Sequence, residues 1–508
     1  TNSYLGATSI RNGTRVIMSV SGALPATNGR TSLAMDASGA GSSSLDLTGA
    51  SQSIASLAGD STSTITLGND ALTIGHGSGA NLNGTSDANF QGVISGAGAL
   101  IKDDSSLQEL SGANTYEGVT SITGGGLTVS DSSALGSTVS GTTVASGASL
   151  VVNGVTIADE VLTIAGGGAT SLTGGALMNS AGADASYDAA ITLTDSATIH
   201  SAAGGTFSIG GSITSSSHTL TIDAAGTTDL NGAIIGDTTD FDDSVVFSGG
   251  GIVNLNATNT YLGPTEIIGG TAVNANVENA LSSANGRPTL AMDLSGSGSS
   301  TLNITGSSQS IASLAGATTS NILLGGNTLT IGFGTGLNTN GTSDADFAGS
   351  ISGVGTLVKD DTSIQTLSGA STFEGITNVN AGTLIIANDT ALGVASSPDS
   401  LTNVLGGAHL QLQGGISSEE RIVLYNNAQL TNNAGTNTLS NLLLVEHDID
   451  GPYAGQKNTE IGALDGQLNL TGGIDDFSGR FSNNPEMNLQ LNTGAGDSSQ
   501  GYCLSLIH

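Results

Sequence analysis

LSGANTYEGVTSITGGGLTVSDSSALG occupies residues 110–136, and nearly the same line, LSGASTFEGITNVNAGTLIIANDTALG, returns at 367–393. The shift is 367 − 110 = 257 residues, with no gap. The same shift carries TNSYLG at 1–6 onto TNTYLG at 258–263, and NGRTSLAMD at 28–36 onto NGRPTLAMD at 285–293. QSIASLAG at 52–59 recurs unchanged at 309–316. A long self-similar period is the mark of stacked repeats. Two units are expected, 1–257 and 258–503. The second drifts from the first after about residue 395, where an offset of 260 replaces 257.

A shorter phrase is nested inside. Asn-Thr-Tyr-x-Gly, or a close variant, starts near Asn2, Asn114, Asn259 and Ser371. Its aromatics are Tyr4, Tyr116, Tyr261 and Phe373, and its glycines Gly6, Gly118, Gly263 and Gly375. A strand, a Gly-Gly or Gly-Thr pair, a second strand and Ala-Leu follow each time. The aromatics are expected to fill one corner per phrase. Asn114 and Asn259 are expected to cap turns through side-chain to backbone bonds.

Between the phrases, apolar residues alternate with Ser, Thr, Asn and Asp, as in LDLT at 45–48 and TITL at 64–67. Period-two alternation is the strand signal, and Gly, Asn and Asp punctuate it every ~8–12 residues. Helical periodicity is nearly absent, the best candidates being single turns at 132–135 and 278–281. Hydrophobic residues make up 37% but aromatics only 3%, so the core is built of Leu, Ile, Val and Ala. A charge content of 10% argues against disorder. The class is therefore all-β, with coils of ~20–25 residues stacked on one another. That predicts on the order of 20–25 coils in one continuous elongated rod. Each coil buries its apolar side on the next and pairs its backbone with it.

Three Lys and six Arg stand against 42 acids, a net charge of −33. Nucleic acid is excluded as a partner, because phosphate binding needs a basic footprint. The single cysteine, Cys503, rules out an internal disulfide framework. No apolar run reaches the ~20 residues of a spanning helix.

ISGAGALIK at 94–102, LSGANTYEG at 110–118, GLTV at 126–129 and ALG at 134–136 resemble the autotransporter-associated β-strand repeat, also called the passenger-associated transport repeat. Residues 351–359, 367–375 and 383–393 resemble it again, and GAHLQLQGGI at 407–416 is similar to the passenger sequence that follows such repeats. The resemblance implies a right-handed parallel β-helix (β-solenoid), displayed on the surface of a Gram-negative bacterium or secreted. It further implies a separate C-terminal β-barrel translocator, of which this chain carries no signature, and repeats that aid export. One departure is Lys102-Asp-Asp and Lys359-Asp-Asp, where Lys followed by Gly or Asn is commoner. It is expected to alter a turn.

Residue 1 lies inside a repeat, so the native protein is expected to extend upstream. The last residues, LSLIH at 504–508, resemble a translated sequencing adapter and are read as a non-native tail. Three functional classes remain in view. The first is a structural stalk that aids its own export and supports adhesion. The second is an adhesin that binds a host or environmental glycan, or calcium, through its acidic face. The third, a polysaccharide-degrading β-helix enzyme, needs clustered acids and bases. His76, His200, His218, His409 and His447 show no recurring carboxylate or nucleophile partner, so no catalytic residue is assigned. Asp237, Asp240, Asp242 and Asp243, with Asp448 and Asp450, are weak calcium candidates; a complete calcium loop has more acids at fixed spacing. They are read as solvated loops, and no cofactor is expected. Thr-x-Thr pairs are suggestive of an ice-binding face but do not recur at coil spacing in the sequence.

Overall fold

The computed structural model describes residues 2, 4, 6–25, 31–36, 41–75, 87–237, 242–282, 288–294, 298–332, 344–395, 400–425, 427–445, 459–472 and 474–476. His76, Asp240, His447, Asp448, Asp450, Cys503 and the 504–508 tail lie outside them. The chain divides into two compact units, Thr1–Ala257 and Thr258–His508.

Each unit is a parallel β-solenoid, and no α-helix occurs among the described residues. Residues 132–135 and 278–281 are turns. A coil in unit 1 runs along three faces. One such coil is Gln52–Ile54, Leu57–Gly59 and Thr64–Thr66. Each strand pairs in parallel with the strand above: Gln52 with Leu72, Leu72 with Leu100, Leu100 with Thr120, and Thr120 with Thr142. Strands of three to five residues suffice because the neighbouring coils supply every ladder bond.

Alternation sorts the first face into columns. Leu72, Leu100, Leu162, Ile191, Ile213 and Ile234 point inward and are buried. Ser121, Thr143, Thr163, Thr192 and Thr214 form the adjacent outward column. Single hydroxyls thus stack at coil spacing in unit 1, although Thr-x-Thr pairs do not form a repeated array. The column is one residue wide. In unit 2 the corresponding face carries Val358, Asn378, Asn403 and Val423, so it is no repeated array.

The described coils number about 17, fewer than expected. The cause is unequal coil length. Leu110 pairs with Val129 (129 − 110 = 19), whereas Gly59 pairs with Phe90 (90 − 59 = 31). Side loops lengthen a coil without breaking the stack.

The strand on the third face is missing where the phrases at Asn114 and Ser371 fall. In unit 1, third-face strands run to Val93–Ser95 and resume at Thr156–Ile157. In unit 2 they run to Ser350–Ser352 and resume at Ser417–Ser418. The intervening coils keep only two faces, as the bent strands Leu100–Leu110 and Thr120–Val129, and Thr356–Leu367 and Thr377–Ile386.

Candidate functional site

The phrase 114–118 lies where that third-face strand is missing and braces the coils on either side. Thr115 and Glu117 donate their N–H groups to the carbonyls of Ile94 and Gly96, each at 2.8 Å. The Asn114 side chain completes the ladder. Its Oδ1 accepts the Ile94 N–H at 2.8 Å, and its Nδ2 donates to the Ala134 carbonyl at 2.6 Å. The expected turn cap is therefore an inter-coil bracket, reaching 20 residues in each direction. Asn259 makes the same forward bond, to the carbonyl of Ala280, and Asn2 bonds the carbonyl of Ala23. At Ser371 only the shorter hydroxyl is available, accepting the Ile351 N–H at 3.3 Å.

Tyr116, Tyr261 and Phe373 are fully buried, as expected of corner fillers. Tyr4 is 42% exposed. It lies in the first described coil, so nothing described covers it. All three tyrosine hydroxyls bond the threonine four residues on: Tyr4 to Thr8 at 2.7 Å, Tyr116 to Thr120 at 2.6 Å, and Tyr261 to Thr265 at 2.8 Å. Phe373 cannot do so, and the Thr377 hydroxyl is buried with no partner. Restoring the hydroxyl should restore the bond. Phe373→Tyr is expected to stabilise unit 2 by about 1 kcal/mol, read as a higher urea midpoint at unchanged slope.

The glycines answer to close approach. A Cβ on Gly118 would stand 2.4 Å from the Gly98 carbonyl oxygen, and one on Gly375 1.7 Å from that of Gly355. Gly263 is buried in its turn. A Cβ added to Gly6 would meet nothing within 4 Å, so no such constraint acts there.

The Lys-Asp-Asp departure lies in the core rather than in an exposed turn. Lys102 is 1% exposed and sits in an inward column between Ile74 and Ile122. Its Nζ donates to Asp104 Oδ1 at 2.5 Å, to the Asp104 carbonyl at 2.7 Å and to the Gly124 carbonyl at 3.3 Å. Asp104 Oδ1 also accepts from the N–H and hydroxyl of Ser106. Lys359, between Ile331 and Val379, repeats the arrangement with Asp361, Ser363 and the Ala381 carbonyl. Burial lowers the pKa of both lysines, and the carboxylates act against that shift. Burial tends to raise the pKa of Asp104, but hydrogen bonds from Lys102 and Ser106 and the ammonium charge hold it below the usual range. The bend is a register shift between 102 and 107, where the bent strand turns from the first face to the second. The alternation of Leu100, Lys102 and Asp104 is the sequence signal for this placement. The general rule that charges avoid the core opposes it.

A second polar clamp escapes the sequence reading. Gln108 Nε2 donates to the carbonyls of Leu57, Ala88 and Glu109, and its Oε1 accepts the Leu57 N–H. Gln365 does the same with Leu314, Ala345 and Thr366. Three successive coils are thereby tied through one side chain.

The remaining candidates fall elsewhere. Asp237 is half-buried, Asp242 exposed and Asp243 fully buried. No group of three or more potential metal ligands occurs among the described residues. His200 Nδ1 lies 2.8 Å from Asp223 Oδ2, one coil on, a contact that does not recur among the other described histidines. The bond to His200 holds Asp223 below the usual carboxylate range. His409 bonds Thr431, and burial lowers its pKa.

The two bent-strand modules, with their buried Lys–Asp pairs, fall at residues 100–129 and 357–386. The family model of the passenger-associated transport repeat matches those residues, and also 248–271, which hold the Tyr261 phrase.

The chain carries three passenger-associated transport repeats.

The matches at 100–129 and 357–386 overlap residues that carry the family resemblance, whereas 248–271 lies outside them. Among curated proteins, the chain is 38% identical over 108 residues to the adhesin BmaC autotransporter of Brucella suis biovar 1 (strain 1330). That match covers 20% of this chain and 3% of the relative, so the chain spans only a small part of its length. No solved structure matches the chain.

Proposed function

We propose that the chain is a passenger segment of an autotransporter-like surface protein, a β-solenoid stalk that supports adhesion and aids its own export. The observation that carries this is the transport repeat itself, built in both units as a coil pair tied to its neighbours by side chains. A coil that brings its own brackets can dock on the coil before it as soon as it emerges, which suits folding from one end. The lack of a cysteine framework in the described coils suits passage through a narrow pore. The role proposed is structural rather than enzymatic, and the location is the cell surface or the medium. A C-terminal β-barrel translocator is the proposed partner.

The test is to fuse the chain ahead of a β-barrel translocator in a Gram-negative host and measure protease-accessible protein on intact cells. Surface display is expected, with a several-fold loss in a variant carrying Asn114→Ala and Tyr116→Ala. Equal display of the variant would remove export from the role. Failure of the parent chain to appear outside would remove the passenger reading.

A further inference from the structure

Two buried acids stand apart from the repeat brackets. Glu160 and Glu420 occupy matched places in the two units, 420 − 160 = 260, the offset that also relates Gly147 to Gly407. Each precedes a first-face strand, Leu162–Gly166 or Ile422–Leu424, shortly after a transport repeat. They are 4% and 3% exposed. The side-chain hydrogen bonds to their carboxyl groups come from hydroxyls. Thr142 Oγ1 donates to Glu160 Oε1 at 2.8 Å; Thr402 Oγ1 donates to Glu420 Oε1 at 3.1 Å, and Ser400 Oγ to Oε2 at 3.4 Å. Glu160 Oε2 is buried with no partner. The coil on the far side holds Glu160 as well, through the Tyr187 hydroxyl, which donates to the Glu160 carbonyl.

We propose that Glu160 and Glu420 are a recurring proton latch, each closing its coil as the neutral carboxylic acid and loosening it on ionisation.

The physical reason is solvation. A carboxylate in the interior with an oxygen unpaired costs far more than a neutral acid in the same place. The titratable groups that face Glu160 are Tyr116 and Tyr187, from coils on either side, and neither supplies a cation. Glu420 has Arg421 beside it, which favours the charged form without prevailing. Burial raises the pKa of both acids, that of Glu420 to about 7. The fold therefore keeps a proton that the unfolded chain releases near its ordinary value of 4.5. Stability from Glu420 is complete below that value and is lost as pH rises through about 7, and Glu160 loses its share in the same direction. The same position in both units makes this a property of the repeat design, since a chance burial would not recur beside the same threonine.

The experiment compares the full chain with its E160Q/E420Q variant. Gln keeps the shape and an acceptor for the threonine but cannot ionise. The wild-type Tm is expected to fall by several degrees more than that of the variant between pH 5 and pH 8. Equal falls would overturn the latch. Infrared spectroscopy of the folded wild type guards against a variant that fails to fold. The carbonyl stretch of a neutral carboxylic acid should persist at pH 6 and vanish by pH 8.5. Its absence at pH 6 would overturn the proposal on the native chain alone.

Discussion

Lys102→Met should destabilise unit 1 by about 3–5 kcal/mol, the cost of leaving one member of a buried ion pair uncompensated. Asp104 would keep its Ser106 bonds but lose the ammonium that balances it, with Oδ2 already unpartnered. The second substitution should reverse the sign. In the background of Lys102→Met, changing Asp104→Leu removes the orphaned charge. The neighbours of Lys102 in its column are Ile74 and Ile122, so a methionine there packs among aliphatic side chains. The double variant should recover most of the loss, because a well-packed apolar pair often equals or exceeds a buried salt bridge. A double-mutant cycle on urea midpoints measures this, with exchange protection at Ile122 and Leu127 locating the effect. A Lys102→Met variant as stable as the parent would mean that the pair is open to water. The Lys359–Asp361 pair in unit 2 is an internal replicate.

Gly125→Ala ranks next, at roughly 2–5 kcal/mol, combining left-handed strain with overpacking. Gly125 has φ +62°, and a Cβ there would stand 2.2 Å from the Asp104 carbonyl oxygen and 2.3 Å from that of Ser106. Both obstacles are backbone, and both belong to the bend that holds the ion pair. They cannot swing aside as a side-chain tip could. The substitution should therefore cut exchange protection in Leu100–Leu110 and Thr120–Val129 before it affects distant coils. Gly382, φ +66°, faces the Asp361 carbonyl oxygen at 2.2 Å and should behave alike. Gly147 makes a fair control. It also has positive φ, +83°, but nothing lies within 4 Å of its Cβ position, so Gly147→Ala should cost only the backbone strain.

The sequence by itself determined the all-β class, the coil as building block and the 257-residue self-similarity. These follow from local alternation and from self-similarity, both of which are visible in one dimension. Tyr116, Tyr261 and Phe373 read as corner fillers in the sequence, and they are buried. What only the tertiary structure decided is which residues meet across coils. Coil length varies from 19 to 31 residues, so no fixed spacing names a partner in advance. That is why the Asn114 bracket, the Gln108 clamp, the His200–Asp223 contact and the threonine column were not legible. Lys102 is the informative case. Alternation alone places it inward, and the cost of burying a charge argues against it. Only the three-dimensional bend brings Asp104 and the Gly124 carbonyl to its Nζ. Those groups supply the counter-charge and acceptors without which an inward ammonium would be too costly to bury.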